Sequence, residues 1–227
     1  MQGVYAVMDF KKITIFAGHY GSGKTNLAVN LAFHHKKLGR DCTICDLDIV
    51  NPYFRSKDSE RDFIDAGIRF ISSPFANSNV DLPAIPAEAY SVFAKSDTFS
   101  VIDLGGDDRG AYALGRFADY LTDESTYDML MVINQFRPDT RTPEQVAEIR
   151  REIEDACHVK FTGIVNNSNL GRETTVEMVE GTKAFMEECS KLLNLPWVLT
   201  TYSDTLTKPN MPNPFAVNIM VKDIWQV

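Results

Sequence analysis

Short apolar runs alternate with segments of helical periodicity along most of the chain. Runs with the length and composition of strands lie at residues 13–17, 42–46, 68–72, 98–104, 129–133, 161–165 and 197–201. Helical patterns lie between them, at residues 24–38, 58–66, 87–95 and 111–121 and after positions 142 and 174. Such alternation predicts a mostly parallel sheet, because parallel strands need crossover connections that helices provide. The predicted fold class is α/β: a twisted, mostly parallel sheet with helices on both faces, in a single domain spanning residues 1–227.

Several predicted helices begin or end at residues suited to those positions. Thr142 and Gln145 have the spacing of a capping box, and Thr174 with Glu177 repeats it before the next helical pattern. Gly39 follows the first helix, where a residue without a Cβ is favoured. Residues 73–86 are rich in Pro, Asn and Ser without periodicity, and this predicts a long surface loop.

A sequence of the form G-x-x-x-x-G-K-[ST], the phosphate-binding P-loop or Walker A motif, joins the first strand to the first helix. The candidate nucleotide-binding residues are Gly18, His19, Tyr20, Gly21, Ser22, Gly23, Lys24, Thr25 and Asn26. Glycines allow the backbone N–H groups to curl around phosphate oxygens. Lys24 would supply a cation to the β- and γ-phosphates, and the Thr25 hydroxyl would ligate Mg²⁺. A glycine-rich turn without a ligand is the alternative; we interpret the chain as a nucleotide-binding protein.

Aspartates follow two of the predicted strands, where ligands of parallel sheets bind. Asp46 and Asp48 end the second strand, on one side of it and about 7 Å apart. Asp103 ends an apolar strand in the Walker B arrangement and would hold Mg²⁺, whereas Gly106 would approach the γ-phosphate in a switch loop. Caps, turns or simple strand ends are the alternatives.

Asparagine follows the strand predicted at residues 161–165. Asn166 could pair with a purine edge, because its amide offers both a donor and an acceptor. The run Asn166-Asn167-Ser168-Asn169 could equally be an asparagine-rich turn. The sequence leaves these two interpretations open.

Composition narrows the choice of partners and compartment. A net charge of −8 gives no strong signal for nucleic-acid or anionic-membrane binding, and no apolar run has the length of a membrane span. The first residues have no signal-peptide pattern. The four cysteines do not form a disulfide framework, and the pair Cys42 and Cys45 is interpreted as buried thiols within a strand. We therefore expect a cytoplasmic protein.

With these motifs in place, the chain resembles the MinD/ParA group of P-loop ATPases, the CobQ/CobB/MinD/ParA nucleotide-binding domains. The resemblance covers roughly residues 11–204 and implies the three-layer sandwich of a SIMIBI-like P-loop NTPase. It implies that Lys24 and Thr25 bind phosphate and Mg²⁺, with Asp46 and Asp103 supporting the metal. By the same resemblance Asp48 would orient the hydrolytic water, which makes Lys24 and Asp48 the candidate catalytic residues. The implied cofactors are ATP and Mg²⁺.

The resemblance further implies that Gly106 lies in switch II and that Asn166 reads adenine. Members of the group typically form a dimer with ATP at the interface. The group's P-loop also carries a signature lysine after its first glycine, and that lysine reaches the partner subunit's nucleotide. Here that position is His19, followed by Tyr20. A histidine is shorter than lysine and mostly neutral at pH 7.

Another cation could replace the signature lysine. The candidates are Arg55, Arg109 and Arg137, each of which could instead be an ordinary surface charge. The group's basic, membrane-binding C-terminal helix is poorly matched, because residues 215–227 are apolar on most sides and contain only Lys222 as a cation. We expect that segment to pack on the body of the protein or on a partner.

The first hypothesis is thus an ATPase that acts as a nucleotide-dependent switch read by an unknown protein partner, with a possible nucleotide-dependent homodimer. A second is a P-loop kinase or transferase that passes the γ-phosphoryl group to a small acceptor under the loop at residues 73–86. A third is a binding module that requires the nucleotide but does not hydrolyse it.

Overall fold

A computed structural model describes residues 10–48, 60–72, 85–94, 97–106 and 108–220. Within them lies one sheet of eight strands in the order β3-β2-β4-β1-β5-β6-β7-β8, with every neighbouring pair parallel. The strands are β1 (Ile13–Ala17), β2 (Cys42–Asp46), β3 (Arg69–Ser72), β4 (Phe99–Asp103), β5 (Tyr127–Ile133), β6 (Gly163–Asn166), β7 (Trp197–Ser203) and β8 (Pro214–Val217). The predicted parallel α/β sheet is confirmed.

Helices connect these strands. The α-helices are α1 (Lys24–Lys37), α2 (Glu60–Asp65), α3 (Asp108–Gly115), α4 (Pro143–Cys157), α5 (Val176–Gly181) and α6 (Lys183–Leu193). Short 3-10 segments lie at Ala87–Val92, Ala118–Tyr120, Pro138–Thr140 and Gly171–Glu173. No helix among these described residues is long and apolar enough to cross a membrane.

Both faces of the sheet are covered, which makes three layers. Alternate residues of a strand point to opposite faces, so Ile15 joins the apolar core beneath α3, α4 and α6, whereas Phe16 joins the core beneath α1 and α2. Ile102 and Val101 of β4 divide in the same way. This two-sided burial explains why the central strands are continuous apolar runs.

The topology places one loop at the centre of the sheet's carboxyl edge. From β1 the chain crosses through α1 to β2, on one side of β1, whereas β5 and the strands after it lie on the other side. The loop that leaves β1 therefore sits where the strand order reverses, and ligands of open α/β sheets bind at such points.

The start of α4 is as the sequence predicts. The Thr142 side chain accepts a hydrogen bond from the Gln145 backbone N–H, and the Gln145 side chain accepts one from the Thr142 backbone N–H. The capping box predicted at Thr174 is wrong by one residue, because the N-cap is Thr175, whose hydroxyl accepts from the N–H of Met178. Thr174 instead bonds the backbone of the preceding turn.

Some predicted helices are shorter than their patterns. The pattern at residues 111–121 divides into α3 and a 3-10 segment, and that at 87–95 forms only a 3-10 segment at Ala87–Val92. The helix predicted after position 174 is broken between α5 and α6 at Thr182. There the Thr182 hydroxyl donates to the Val179 carbonyl at 2.6 Å and so competes with regular helical bonding. The loop predicted at residues 73–86 lies outside the described residues except for its last two positions.

Strand β8 is absent from the sequence prediction. It starts at Pro214, and Phe215 is its one buried residue. Because β8 lies at the edge of the sheet beside β7, the proline is tolerated where a central strand would exclude it. Residues 215–220 of the segment thus pack on the body of the protein, one of the two roles expected for it, whereas residues 221–227 lie outside the described part of the chain.

The cysteines are free and buried, in agreement with the interpretation of Cys42 and Cys45 as strand residues. Burial raises the pKa of Cys42 to about 12 and also raises the pKa of Cys45. Thiols with raised pKa values are poor nucleophiles and metal ligands.

His35 on α1 generates a prediction about acid stability. Its ring is 1% exposed and stacks on Phe99 with 4.4 Å between ring centroids. Burial first, then the charges of Arg40, His34 and Lys12, lowers the His35 pKa to about 4. The unfolded chain therefore takes up this proton at higher pH than the folded protein, and stability is lost as pH falls from the ordinary histidine value toward 4.

The unfolding free energy of the wild type should decrease between about pH 7 and pH 4. We expect this decrease to be smaller in His35→Phe by on the order of 2 kcal/mol. Urea unfolding across that range measures it. His158→Asn is the control, because His158 is exposed and its φ of 59° suits asparagine. Equal acid sensitivity of wild type and His35→Phe would contradict the assignment.

Candidate functional site

The loop between β1 and α1 is built as a cradle of backbone. Gly18, Gly21 and Gly23 have φ angles of 145°, 73° and 88°, which side chains strongly disfavour. Gly23 is also the N-cap of α1, with no side chain bonded to the first turn. The N–H groups at this helix start are thus without a side-chain cap, and the positive end of the helix dipole lies at the loop. Such a turn can bind an anion through its backbone.

Lys24 lies inside this cradle. Its side chain is buried, and its Nζ donates a hydrogen bond to the His19 carbonyl at 3.0 Å. The ammonium therefore spans the loop and contacts a carbonyl of the loop itself. A phosphate group placed here would offer it stronger, charged acceptors. Ser22 is fully buried, and its hydroxyl has no hydrogen-bond partner among the described residues.

The predicted metal-binding aspartates meet at the same edge of the sheet. Asp46 and Asp103 are direct partners in the register of β2 and β4, and they are only 4% and 1% exposed. The Asp48 N–H donates to Asp46 Oδ1 at 2.9 Å, so the loop after β2 turns back on its own strand. Thr25 is partly exposed at the start of α1. Thr25, Asp46 and Asp103 all offer oxygen atoms as metal ligands, and Mg²⁺ prefers such ligands.

A carboxylate pair and a hydroxyl are enough protein ligands for that ion. No group of three His, Cys, Asp or Glu side chains able to hold a metal occurs among the described residues. Mg²⁺ in phosphate sites usually keeps several waters and uses one or two carboxylates together with phosphate oxygens. The residues Thr25, Asp46 and Asp103 therefore fit a nucleotide-bound Mg²⁺ better than an ion held by the protein alone.

The loop after β4 lies directly against the P-loop. A Cβ on Gly106 would lie 2.7 Å from the Tyr20 Cα and 2.8 Å from the Lys24 Nζ. A Cβ on Gly105 would lie 3.2 Å from Asp48 Oδ1. Glycine is thus required at residue 106 for the two loops to touch. The structure brings the predicted switch residue Gly106 and the P-loop together.

The Asn166 side chain is hydrogen-bonded to other groups of the protein. Its side chain is fully buried, its Nδ2 donates to the Thr182 hydroxyl at 2.8 Å, and its Oδ1 accepts from the Ser168 N–H at 3.2 Å. To read a base, this amide would have to exchange those partners. Reading of adenine by Asn166 stays a prediction.

Asn167, which the sequence pattern does not single out, is the asparagine that contacts the P-loop. Its Nδ2 donates to the Ser22 carbonyl at 2.6 Å, and its Oδ1 accepts from the Thr201 hydroxyl. A Cβ on Gly23 would collide with the same amide nitrogen. Neighbouring residues at a strand end point to opposite sides, and the run of asparagines offered no way to tell which side faces the loop.

Asn26 has a structural role that the sequence did not indicate. Its Nδ2 donates to the Asn218 carbonyl at 2.9 Å, and its Oδ1 accepts from the Met220 N–H at 2.9 Å. Asn30, one turn later on α1, bonds the Asn218 backbone in the same way, as acceptor and donor. The Asn26 side chain therefore faces the segment after β8, and only its backbone is placed to contribute to nucleotide binding.

The P-loop also contacts the turn after β5, through His19 and through the Gly21 carbonyl. His19 Nε2 lies 3.6 Å from Asp139 Oδ2, and the Tyr20 side chain is 55% exposed. Arg137 Nε donates to the Gly21 carbonyl at 2.9 Å, so one of the three candidate arginines touches the P-loop. Arg55 and the Arg109 side chain lie outside the described part of the chain.

No protein-family model matches the sequence, and a search of curated proteins gives no match. Solved structures of other proteins are similar to this chain in fold. FtsY from Mycoplasma mycoides is 18% identical, with a TM-score of 0.53 over 84% of this chain and 61% of that one. The cell division protein FtsY from Thermotoga maritima is 17% identical, with a TM-score of 0.58 over 85% of this chain and 62% of that one.

This likeness shows the fold, and the predicted three-layer α/β architecture is confirmed. The chain spans about three fifths of the length of those FtsY structures. Neither comparison singles out the MinD/ParA group, and that finer resemblance stays a prediction.

Gly106→Ala tests the packing of the two loops. The added methyl would meet the Tyr20 backbone, which cannot rotate away, and we expect a loss of about 1–3 kcal/mol in unfolding free energy. Gly181→Ala is the matched control, because a Cβ there meets nothing within 4 Å. Urea unfolding of both variants measures the difference. Similar stabilities would show that residue 106 does not hold the loops together.

Proposed function

We propose that this protein binds a nucleoside triphosphate with Mg²⁺ in the P-loop and hydrolyses it, acting as a nucleotide-dependent switch. The observation that carries the proposal is the position of Lys24, which is buried within a positive-φ glycine turn at the same edge of the sheet as the paired Asp46 and Asp103. ATP is the nucleotide expected from the resemblance to the MinD/ParA group, and GTP is the alternative.

Each ligand group has residues suited to it. Backbone N–H groups of the glycine turn and the start of α1 would hold the β-phosphate, with Lys24 bridging to the γ-phosphate. Thr25, Asp46 and Asp103 would hold Mg²⁺ directly or through water. When bound, Mg²⁺ supplies neutralisation of the charge that develops on the transferred phosphoryl oxygens.

Asp48 would position the attacking water. It sits in the loop after β2, next to Gly105, and its backbone is bonded to Asp46. A carboxylate there would accept a hydrogen bond from water and align it with the γ-phosphate. Phosphoryl transfer depends mainly on such positioning and on electrostatic stabilisation.

The switch would lie in the contact between the P-loop and the loop after β4. In the structure Lys24 is bonded to the His19 carbonyl while Gly106 packs against Tyr20. Binding of a γ-phosphate would draw Lys24 away from that carbonyl and give the Gly106 backbone a new acceptor. A protein partner, or a second copy of the chain in a nucleotide-dependent homodimer, would recognise this change at the surface around the exposed Tyr20.

Lys24→Ala tests nucleotide binding. We expect affinity for Mg-ATP or Mg-GTP to fall about a hundredfold, because a charged hydrogen-bond donor to phosphate is removed. Calorimetry with both nucleotides on folded protein measures it. Lys37→Ala, an exposed lysine at the other end of α1, is the control and should bind as wild type does. Unchanged affinity of Lys24→Ala would refute the P-loop assignment.

Asp48→Ala tests hydrolysis separately from binding. We expect nucleotide affinity to stay within about threefold and phosphate release to slow by about 10²–10⁴, the range for loss of a positioned base. The comparison variant is Asp119→Ala, on an exposed 3-10 turn away from the loop. A normal rate of phosphate release would remove Asp48 from this role.

A further inference from the structure

The turn after β5 is joined to the P-loop through Arg137. Its Nε donates to the Gly21 carbonyl at 2.9 Å, a contact between residues 116 positions apart in the chain. A Cβ on Gly21 would lie 3.3 Å from both Cζ and Nε, so the guanidinium lies over the open side of this glycine. The guanidinium group thus rests on the loop that surrounds the proposed phosphate site.

Most of the guanidinium's hydrogen-bonding capacity is unused. It carries five N–H donors, and only Nε has an acceptor among the described residues. Arg137 has no carboxylate partner within that part of the chain, and its side chain is exposed. A cation anchored at one donor, with its paired Nη groups available, is suited to bidentate recognition of a phosphate.

Buried bonds hold Arg137 in this place. The Asn134 carbonyl accepts from the Arg137 N–H at 3.0 Å and from the Thr140 hydroxyl at 2.5 Å. Asn134 Oδ1 accepts from the N–H groups of Phe136 and Asn169 at 3.1 and 3.2 Å. Asn134 and Thr140 are each 1% exposed, so the turn is built on the core and presents Arg137 from a rigid base.

We propose that Arg137 is a phosphate ligand supplied by the same chain, one that binds the terminal phosphate of the nucleoside triphosphate. This inference rests on the proposed function. Gly21 lies in the middle of the cradle, between Gly18 and Gly23, and the guanidinium bonded to its carbonyl is exposed. Backbone N–H groups of a P-loop surround the inner phosphates. The terminal phosphate would extend beyond them, so it is the phosphate left for a side chain that contacts the loop from outside.

Such a contact distinguishes nucleoside triphosphates from diphosphates. The backbone cradle would hold phosphates common to both nucleotides and Lys24 would bridge the β- and γ-phosphates, whereas Arg137 would bond only the group that hydrolysis removes. The Arg137 side chain also covers the loop through Gly21, and loss of the terminal phosphate would return it to that single anchor. Arg137 is therefore expected to add both affinity for the triphosphate and stabilisation of the charge that develops on it.

Arg137→Ala and Arg137→Gln test the proposal by equilibrium binding of a non-hydrolysable triphosphate analogue and of the diphosphate, each with Mg²⁺. The glutamine side chain is neutral but keeps a donor for the Gly21 carbonyl, so the second variant removes the charge and retains a possible anchor. We expect both variants to lose about tenfold or more in triphosphate affinity, with diphosphate affinity unchanged within about twofold.

Arg141→Ala is the matched control, because Arg141 is an exposed arginine four residues further along the chain. It should bind both nucleotides as wild type does. Equal losses for triphosphate and diphosphate would show that Arg137 only supports the loop, and unchanged binding would show that it has no role; either result overturns the inference while leaving the proposed function intact. Failure of the wild type to bind any nucleotide would overturn both.

Discussion

To bind a phosphate between β1 and α1, several backbone N–H groups would have to converge on it without a side chain in the way. The glycines at residues 18, 21 and 23 meet this requirement through positive φ angles. Two side chains bond the carbonyls of this loop: Asn167 bonds that of Ser22, where a Cβ on Gly23 would collide with the amide, and Arg137 bonds that of Gly21. Both contacts hold the loop from the outside by its carbonyls, so neither of them occupies an N–H group that a ligand could use.

The sheet supplies the carboxylates that the loop itself lacks. Parallel strands end at one edge, so Asp46 and Asp103 meet beside the P-loop although they are far apart in the chain. Two carboxylates buried side by side repel each other when both are ionised, and a divalent cation between them would relieve that repulsion. A phosphate on the other side of the cation would in turn attract the Lys24 ammonium. The proposed ligand thus links the charges of the two parts of the site.

The sequence predicted most of the fold because strand burial leaves a strong signal. Apolar runs on the central strands and the capping box at Thr142 depend on neighbours close in sequence. Strand β8 escaped prediction because its pairing with β7 is a tertiary event and its four residues include only one buried side chain. The break at Thr182 likewise depends on a side chain that bonds both Val179 and Asn166.

At the site, the motif residues could be predicted because the P-loop and the aspartates follow strands in a recognisable order. Their supports could not, since Asn167 and Arg137 reach the loop only through folding. Asn26 shows the reverse case: it follows the motif, yet its side chain is bonded to the segment after β8.

That last contact has a mechanical consequence. Because α1 begins at the P-loop, a shift of its first turn would strain the bonds from Asn26 and Asn30 to the backbone of Asn218 and Met220. By contrast, the loop after β4 touches the P-loop through close glycine packing. Under the proposed function, movement of the helix would have to break these hydrogen bonds, whereas movement of the loop after β4 would separate Gly106 from Tyr20. This difference favours a switch in which the loop after β4 moves and the cradle stays fixed.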